Sequence, residues 1–180
     1  FAEEIRNQTH AKVLLYHAQF VLPDRAKKEK QLVDLVGRES THESRNGLVV
    51  VGTQVLEQSL DIDFDMLITD ICPVDLLLQR MGRLHRHDRG ERPDTAQTPV
   101  CYVITDEYTN KESASRIIYS DWLINKTFDI LPDSITLPDD ISPLVQEVYN
   151  ATGDECYDKY IDERKKSIGR ADSFRIRKPK

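Results

Sequence analysis

What this 180-residue sequence lacks narrows its function before any motif is considered. It contains no G-x-x-x-x-G-K-[ST] and no G-x-G-x-x-G, so it has no backbone loop of its own to cradle the phosphates of a nucleotide. It has no serine elbow, and no cysteine and histidine pair in a supporting context, which removes the common covalent nucleophiles. Its three cysteines, Cys72, Cys101 and Cys156, show no paired spacing, so neither a disulfide framework nor a zinc ribbon is expected, and a reducing compartment fits. No stretch approaches the ~18 consecutive apolar residues of a membrane span, and "FAEEIRNQTH" lacks the basic start and apolar run of a secretory signal. We therefore expect a soluble, cytoplasmic protein with no membrane partner. Because it opens on Phe1 and heads at once for a strand, we expect a fragment of something larger.

What is present is 39% hydrophobic and 31% charged, enough for one core and an appendage, with a formal net charge of −6. The charge segregates along the chain: residues 129–162 carry nine acidic groups against the single base Lys159, and residues 163–180 turn basic. Short β-branched runs, "KVLLY" (12–16), "LVVVGT" (48–53), "DMLITD" (65–70) and "VCYVIT" (100–105), predict buried strands. Between the first two, "PDRAKKEKQLVDLVG" opens on Pro23 and Asp24, carries Leu32, Leu35 and Val36 at helical spacing and stops at Gly37. After the third strand, "PVDLLLQRMGRLHRH" reads as a helix with Gly82 inside it. Alternating strands and helices predict an α/β fold, a parallel sheet with helices on both faces. Ligands of such sheets bind at the carboxyl ends of the strands. Beyond residue 106 only helices are expected, the first with Ile117, Ile124, Phe128 and Leu131 on one side. The boundaries read as a core over 1–106, a helical extension over 107–152 and a charged helix and tail over 153–180.

The stretch "QRMGRLHRHDRGER" puts an arginine at every third position from Arg80 to Arg92. A helix turns by about 100° per residue, so five arginines at that step cannot share one face. Gln79, Arg83 and Arg86 form one stripe, with Gly82 removing a side chain beside it. Such planar donors suit phosphate oxygens and the charge that develops in phosphoryl transfer, and they equally suit a solvated basic helix. Arg80 points off the stripe toward packing or an ion pair. Arg89 and Arg92, in a turn-rich segment, are expected in solvent, and the regular spacing reads as coincidence.

The stretch "VVVGTQVLEQSLDIDFD" ends a strand on Gly52 and Thr53, a close backbone approach followed by a hydroxyl, which fits either a nucleic-acid phosphate contact or an ordinary strand exit. Asp61, Asp63 and Asp65 alternate as at the start of a calcium loop, but Met66 stands where glycine is needed and Cys72 where glutamate is needed, so calcium is rejected. The histidines, His10, His17, His42, His85 and His87, lack companions at ligand spacing, and no metal site is expected.

Taken in order, "VLLYHAQF", "VVVGTQVLEQSLDIDFDMLITD" and "LLLQRMGRLHRH" resemble motifs IV, V and VI of the second RecA-like domain of superfamily-two helicases. The wording of the last two, with the later "ITLPDDISPLVQEVY", resembles the CRISPR-associated helicase-nuclease of type I interference systems. The resemblance covers roughly residues 12–150. It implies a RecA-like sheet, an ATP-dependent 3′ to 5′ translocase on single-stranded DNA, and recruitment by an RNA-guided surveillance complex. It places Arg83 and Arg86 as fingers on ATP, with Gln79 beside them; Gly82 and Gln58 near the nucleotide; Asp61 near the nucleotide ribose or the motif VI arginines; and Thr53, Gly52, Gln54 and His17 on the DNA. ATP and Mg would be held mainly by the first RecA-like domain, which this chain lacks, as it lacks the HD nuclease domain, so the fragment alone is expected to be inactive. Another superfamily-two DNA or RNA helicase, and a non-catalytic docking module built on the acidic tail, remain open at this point.

Overall fold

The computed structural model describes residues 2–17, 22–57, 60–105 and 118–149, with 161–162, 164–167 and 169 in the tail. A helix, α1 (Ala2–Gln8), precedes the first strand, β1 (Lys12–Tyr16). Then come α2 (Leu22–Val36), the short α3 (His42–Arg45), β2 (Leu48–Gly52) and a 3₁₀ turn over Gln54–Glu57. β3 (Met66–Asp70), α4 (Val74–Met81), a second 3₁₀ turn over Asp94–Ala96 and β4 (Val100–Ile104) follow, and then two helices, α5 (Asp121–Ile130) and α6 (Ile141–Tyr149).

β1 and β2 pair in parallel from Lys12 opposite Leu48 to Tyr16 opposite Gly52, as their β-branched runs and the intervening helix predict. β3 pairs with β4. The hydrogen-bonded partners among the described strands are thus β1 with β2 and β3 with β4. Just before β3 the backbone is bridged to Gly37 through Ile62 and to Leu84 through Phe64. Helix α3 was not foreseen. Thr41 caps it, accepting from Ser44 N while its own amide donates to Ser44 Oγ, a reciprocal box that nucleates a single turn.

The chain divides into two compact units, residues 1–67 with 79–102, and residues 68–78 with 103–180. The first is built on Leu14, Leu32, Val36 and Ile62, with Leu35 and Leu56 packed against them. Leu32 and Val36 lie one turn apart on α2, and Leu32 is fully buried, worth roughly 1.5–3 kcal/mol of apolar transfer. The second is built on Val74, Leu78, Trp122, Leu144 and Val148. In α5 the buried positions are Trp122, Ile124, Lys126 and Thr127. Phe128, expected on the packed side, is 40% exposed, because Trp122 rather than Phe128 sets the inward face; Ile117 lies outside the described residues. The Tyr149 ring meets Trp122 edge-on at 6.3 Å, its hydroxyl donates to Asp75 at 2.7 Å, and Arg164 lies 5.4 Å over the indole.

Candidate functional site

The parallel register of β1 and β2 brings two of the singled-out segments to one sheet edge. Tyr16 and Gly52 form the last rung, so His17 and Thr53 leave the sheet side by side. Thr53 N donates to Tyr16 O at 3.2 Å, and Leu56 N donates to Thr53 O at 3.1 Å, which starts the 3₁₀ turn at once. That turn folds Leu56 back over the strand end. A Cβ on residue 52 would press into the Leu56 side chain, which would have to shift, so glycine is favoured there by close approach. Gly52, Thr53 and Gln54 are exposed at this edge, His17 is half-buried, and Gln58 lies outside the described residues.

The second segment departs from expectation. Helix α4 ends at Met81, and Gly82 and Arg83 occupy a turn. Arg83 N donates to Arg80 O and Leu84 N to Met81 O, tightening the last turn, after which Phe64 captures the backbone: Phe64 N donates to Arg83 O at 2.8 Å, and His85 N to Phe64 O at 3.1 Å. His85 takes φ +45°, a left-handed conformation that ends any helical continuation. Gln79, Arg83 and Arg86 therefore do not form a stripe along one helix, and Gly82 is not a helix-interior residue. Gln79 is exposed in the last turn of α4.

The arginines instead run alongside residues 57–65 in order. Arg80 donates through Nε and Nη2 to Glu57 Oε1 at 2.8 and 2.5 Å, the ion-pair alternative of the two expected for it. Arg83 donates to the carbonyls of Leu60 at 2.5 Å and Glu57 at 3.4 Å. Arg86 donates through Nε to Asp61 at 2.9 Å. Arg89 pairs with Asp63 and also donates to the carbonyls of Ser40 at 2.9 Å and Gly37 at 2.6 Å. Arg92 bridges Asp63 at 3.0 Å and Asp65 at 2.7 Å. Asp65 is shared with Arg45, the buried cation of α3, at 2.9 Å.

One expectation is corrected here. Arg89 and Arg92 are not in solvent: their side chains are 8% and 7% exposed, because buried Asp63 holds both. The partners keep the order of the run without a one-to-one register: Arg83 shares Glu57 with Arg80, and Arg92 shares Asp63 with Arg89. The signal was in the sequence as the alternation of Asp61, Asp63 and Asp65, which was weighed for calcium and not for guanidinium.

Arg86 differs from its neighbours. Its side chain is 43% exposed and that of Asp61 52%. Only its Nε is engaged, and the terminal nitrogens have no partner among the described residues. His87 Nε2 stands 3.0 Å from the same Asp61 oxygen. Burial pushes the Asp61 carboxyl upward, but the charge of His87 and the hydrogen bond from Arg86 outweigh it, so Asp61 ionises below the ordinary aspartate value. Arg83 is shifted down, first by burial and then by the like charge of Arg86, with Asp61 opposing.

A family model described as the C-terminal part of the CRISPR-associated nuclease/helicase Cas3 matches residues 1–89. The CRISPR-associated nuclease/helicase Cas3 of Streptococcus thermophilus is 42% identical over 179 residues, covering 92% of this chain and 19% of that protein. The chain belongs to the Cas3 family. A crystal structure of T. fusca Cas3 with ATP superposes with a TM-score of 0.79 at 31% identity, over 93% of this chain and 20% of that one. A chain of a CRISPR RNA-guided surveillance complex, pre-nicking, superposes with a TM-score of 0.73 at 31% identity, over 98% of this chain and 23% of that one. The fold of this Cas3-family chain is RecA-like, and it spans about a fifth of the S. thermophilus relative.

Proposed function

We propose that this chain is the second RecA-like domain of an ATP-dependent translocase that moves 3′ to 5′ on single-stranded DNA, joined in the complete protein to a nuclease domain and acting with an RNA-guided surveillance complex in the cytoplasm. Its part is the arginine half of the ATP site and a portion of the DNA surface. The observation that carries the reading is Arg86, a half-exposed guanidinium secured by one nitrogen with its terminal fork open. A planar fork of this kind fits phosphate oxygens and the charge that develops on a transferring phosphoryl group. Family membership supports it, since T. fusca Cas3 has been solved with ATP.

In this reading the nucleotide is held mainly by the first RecA-like domain, and Arg86 reaches it only when the cleft between the domains closes. Hydrolysis then follows closure and drives strand movement. Asp61 keeps the side chain extended while the cleft is open, and Arg83, anchored on the Leu60 and Glu57 carbonyls, lends a second positive charge. Asp61, Asp63 and Asp65 are already matched with guanidinium groups, so Mg²⁺ would take its ligands from the other domain. Thr53, at the open end of β2 beside His17, would meet the DNA backbone, where hydroxyl and amide donors commonly bind phosphate.

The test is Arg86→Ala in the complete enzyme. ATP turnover should fall by about 10³-fold or more while single-stranded DNA affinity is kept; near-normal turnover removes the finger assignment.

A further inference from the structure

Asp63 is fully buried, and its carboxylate receives three donors from the arginine run. Arg89 donates through Nε, and Arg92 through Nη2 at 3.0 and 3.3 Å. The third donor is the backbone amide of Arg86, at 2.8 Å from Oδ1. Two guanidinium groups would satisfy a buried carboxylate by themselves. The bond to the amide adds something a purely structural cluster does not need, because it ties the carboxylate to the main chain from which the open fork projects.

We propose that Asp63 is a positioning residue for Arg86. The backbone ahead of Arg86 is fixed by the Phe64 bridge and by the left-handed His85, and Asp63 fixes its amide one residue later. With the main chain held at both points, Asp61 has only to set the side-chain torsions. Arg89 and Arg92 hold Asp63 in turn: Arg89 is anchored on the Gly37 and Ser40 carbonyls and Arg92 on Asp65 and the His87 carbonyl. The finger is thus supported from three separate chain segments. Misplacement of a reacting group by about 1 Å costs roughly a hundredfold in rate, so a support of this kind governs turnover without touching the nucleotide.

The proposal rests on the finger reading of Arg86, and the experiment separates the two. Steady-state ATP hydrolysis with single-stranded DNA is measured on the complete enzyme for Asp63→Asn, Arg86→Ala, Arg86→Lys and the Asp63→Asn/Arg86→Lys pair. Asp63→Asn should lower kcat by about tenfold or more, with KM for ATP and DNA affinity unchanged. In the pair, the loss should be smaller than the product of the two single losses. If Asp63→Asn does not fold, Asp63→Asn/Arg89→Gln removes one charge of each sign and takes its place. An inactive Arg86→Ala with unchanged kcat in Asp63→Asn overturns the positioning role alone, as does a fully multiplicative loss in the pair. An active Arg86→Ala overturns the finger reading and this proposal with it.

Discussion

At Asp61 three influences compete: burial, which raises its pKa, and the neighbouring His87 and Arg86, which together lower it. Because the folded value lies below the ordinary one, Asp61 contributes stability that is present above the ordinary aspartate range and is lost as pH falls through the lowered value. A carboxyl NMR titration should find its midpoint below that of an unperturbed aspartate, and Arg86→Ala should move it upward. A midpoint indifferent to Arg86 would show that the 2.9 Å bond does not form in solution. Thr53 makes a contrasting case. Its amide is used on Tyr16 but its side chain is exposed, so Thr53→Ala in the complete enzyme should weaken DNA stimulation of ATP hydrolysis more than KM for ATP. Equal loss of both would move Thr53 off the DNA.

Among the elements, the turn after β2 is the most exacting. Gly52→Ala places a methyl group against Leu56 and should cost about 1–3 kcal/mol in denaturant unfolding, and the penalty should shrink in a Leu56→Ala background, where the clash has no partner. A penalty unchanged by Leu56 would mean that the Tyr16 carbonyl, 3.2 Å from the added carbon, is the obstacle. The strands and α2 were readable because their information is local: β-branched runs, an opening proline, and Leu32, Leu35 and Val36 one turn apart. Two of the last three, Leu32 and Val36, join Leu14 and Ile62 in the core of the first unit. The end of α4 was not readable, because nothing between Gln79 and His85 forbids a helix strongly; Phe64, far away in sequence, claims the backbone. The same distance hid the burial of Arg89 and Arg92, whose partner Asp63 lies 26 and 29 residues upstream. Asp61 beside Arg86 came from the family resemblance, and spacing alone would have missed it.

For the molecule as a whole, the net charge of −6 and the arginine-rich run stop being a contradiction once the pairs are drawn. Arg80, Arg89 and Arg92 are neutralised internally, whereas the terminal nitrogens of Arg86 have no partner among the described residues, the feature on which the proposed contact with an outside anion rests. Half a site should behave as half a site. The isolated chain should show no ATP turnover, and turnover should appear when the first RecA-like domain and single-stranded DNA are supplied together. Hydrolysis by the isolated chain would mean that it carries a nucleotide site of its own, against the lack of any phosphate-cradling loop.

The ordered pairing of Arg80 to Arg92 with Glu57 to Asp65 has a consequence for how this segment can change. Substitution at one rung disturbs that rung and its neighbours. One extra residue between the Leu84 bridge and Arg86 would slide every later arginine past its acceptor in a single step, as a frameshift misreads every later codon. The segment should therefore tolerate exchanges of side chain far better than any change in its length, with Asp63, a buried carboxylate stripped of its guanidinium partners, as the first casualty.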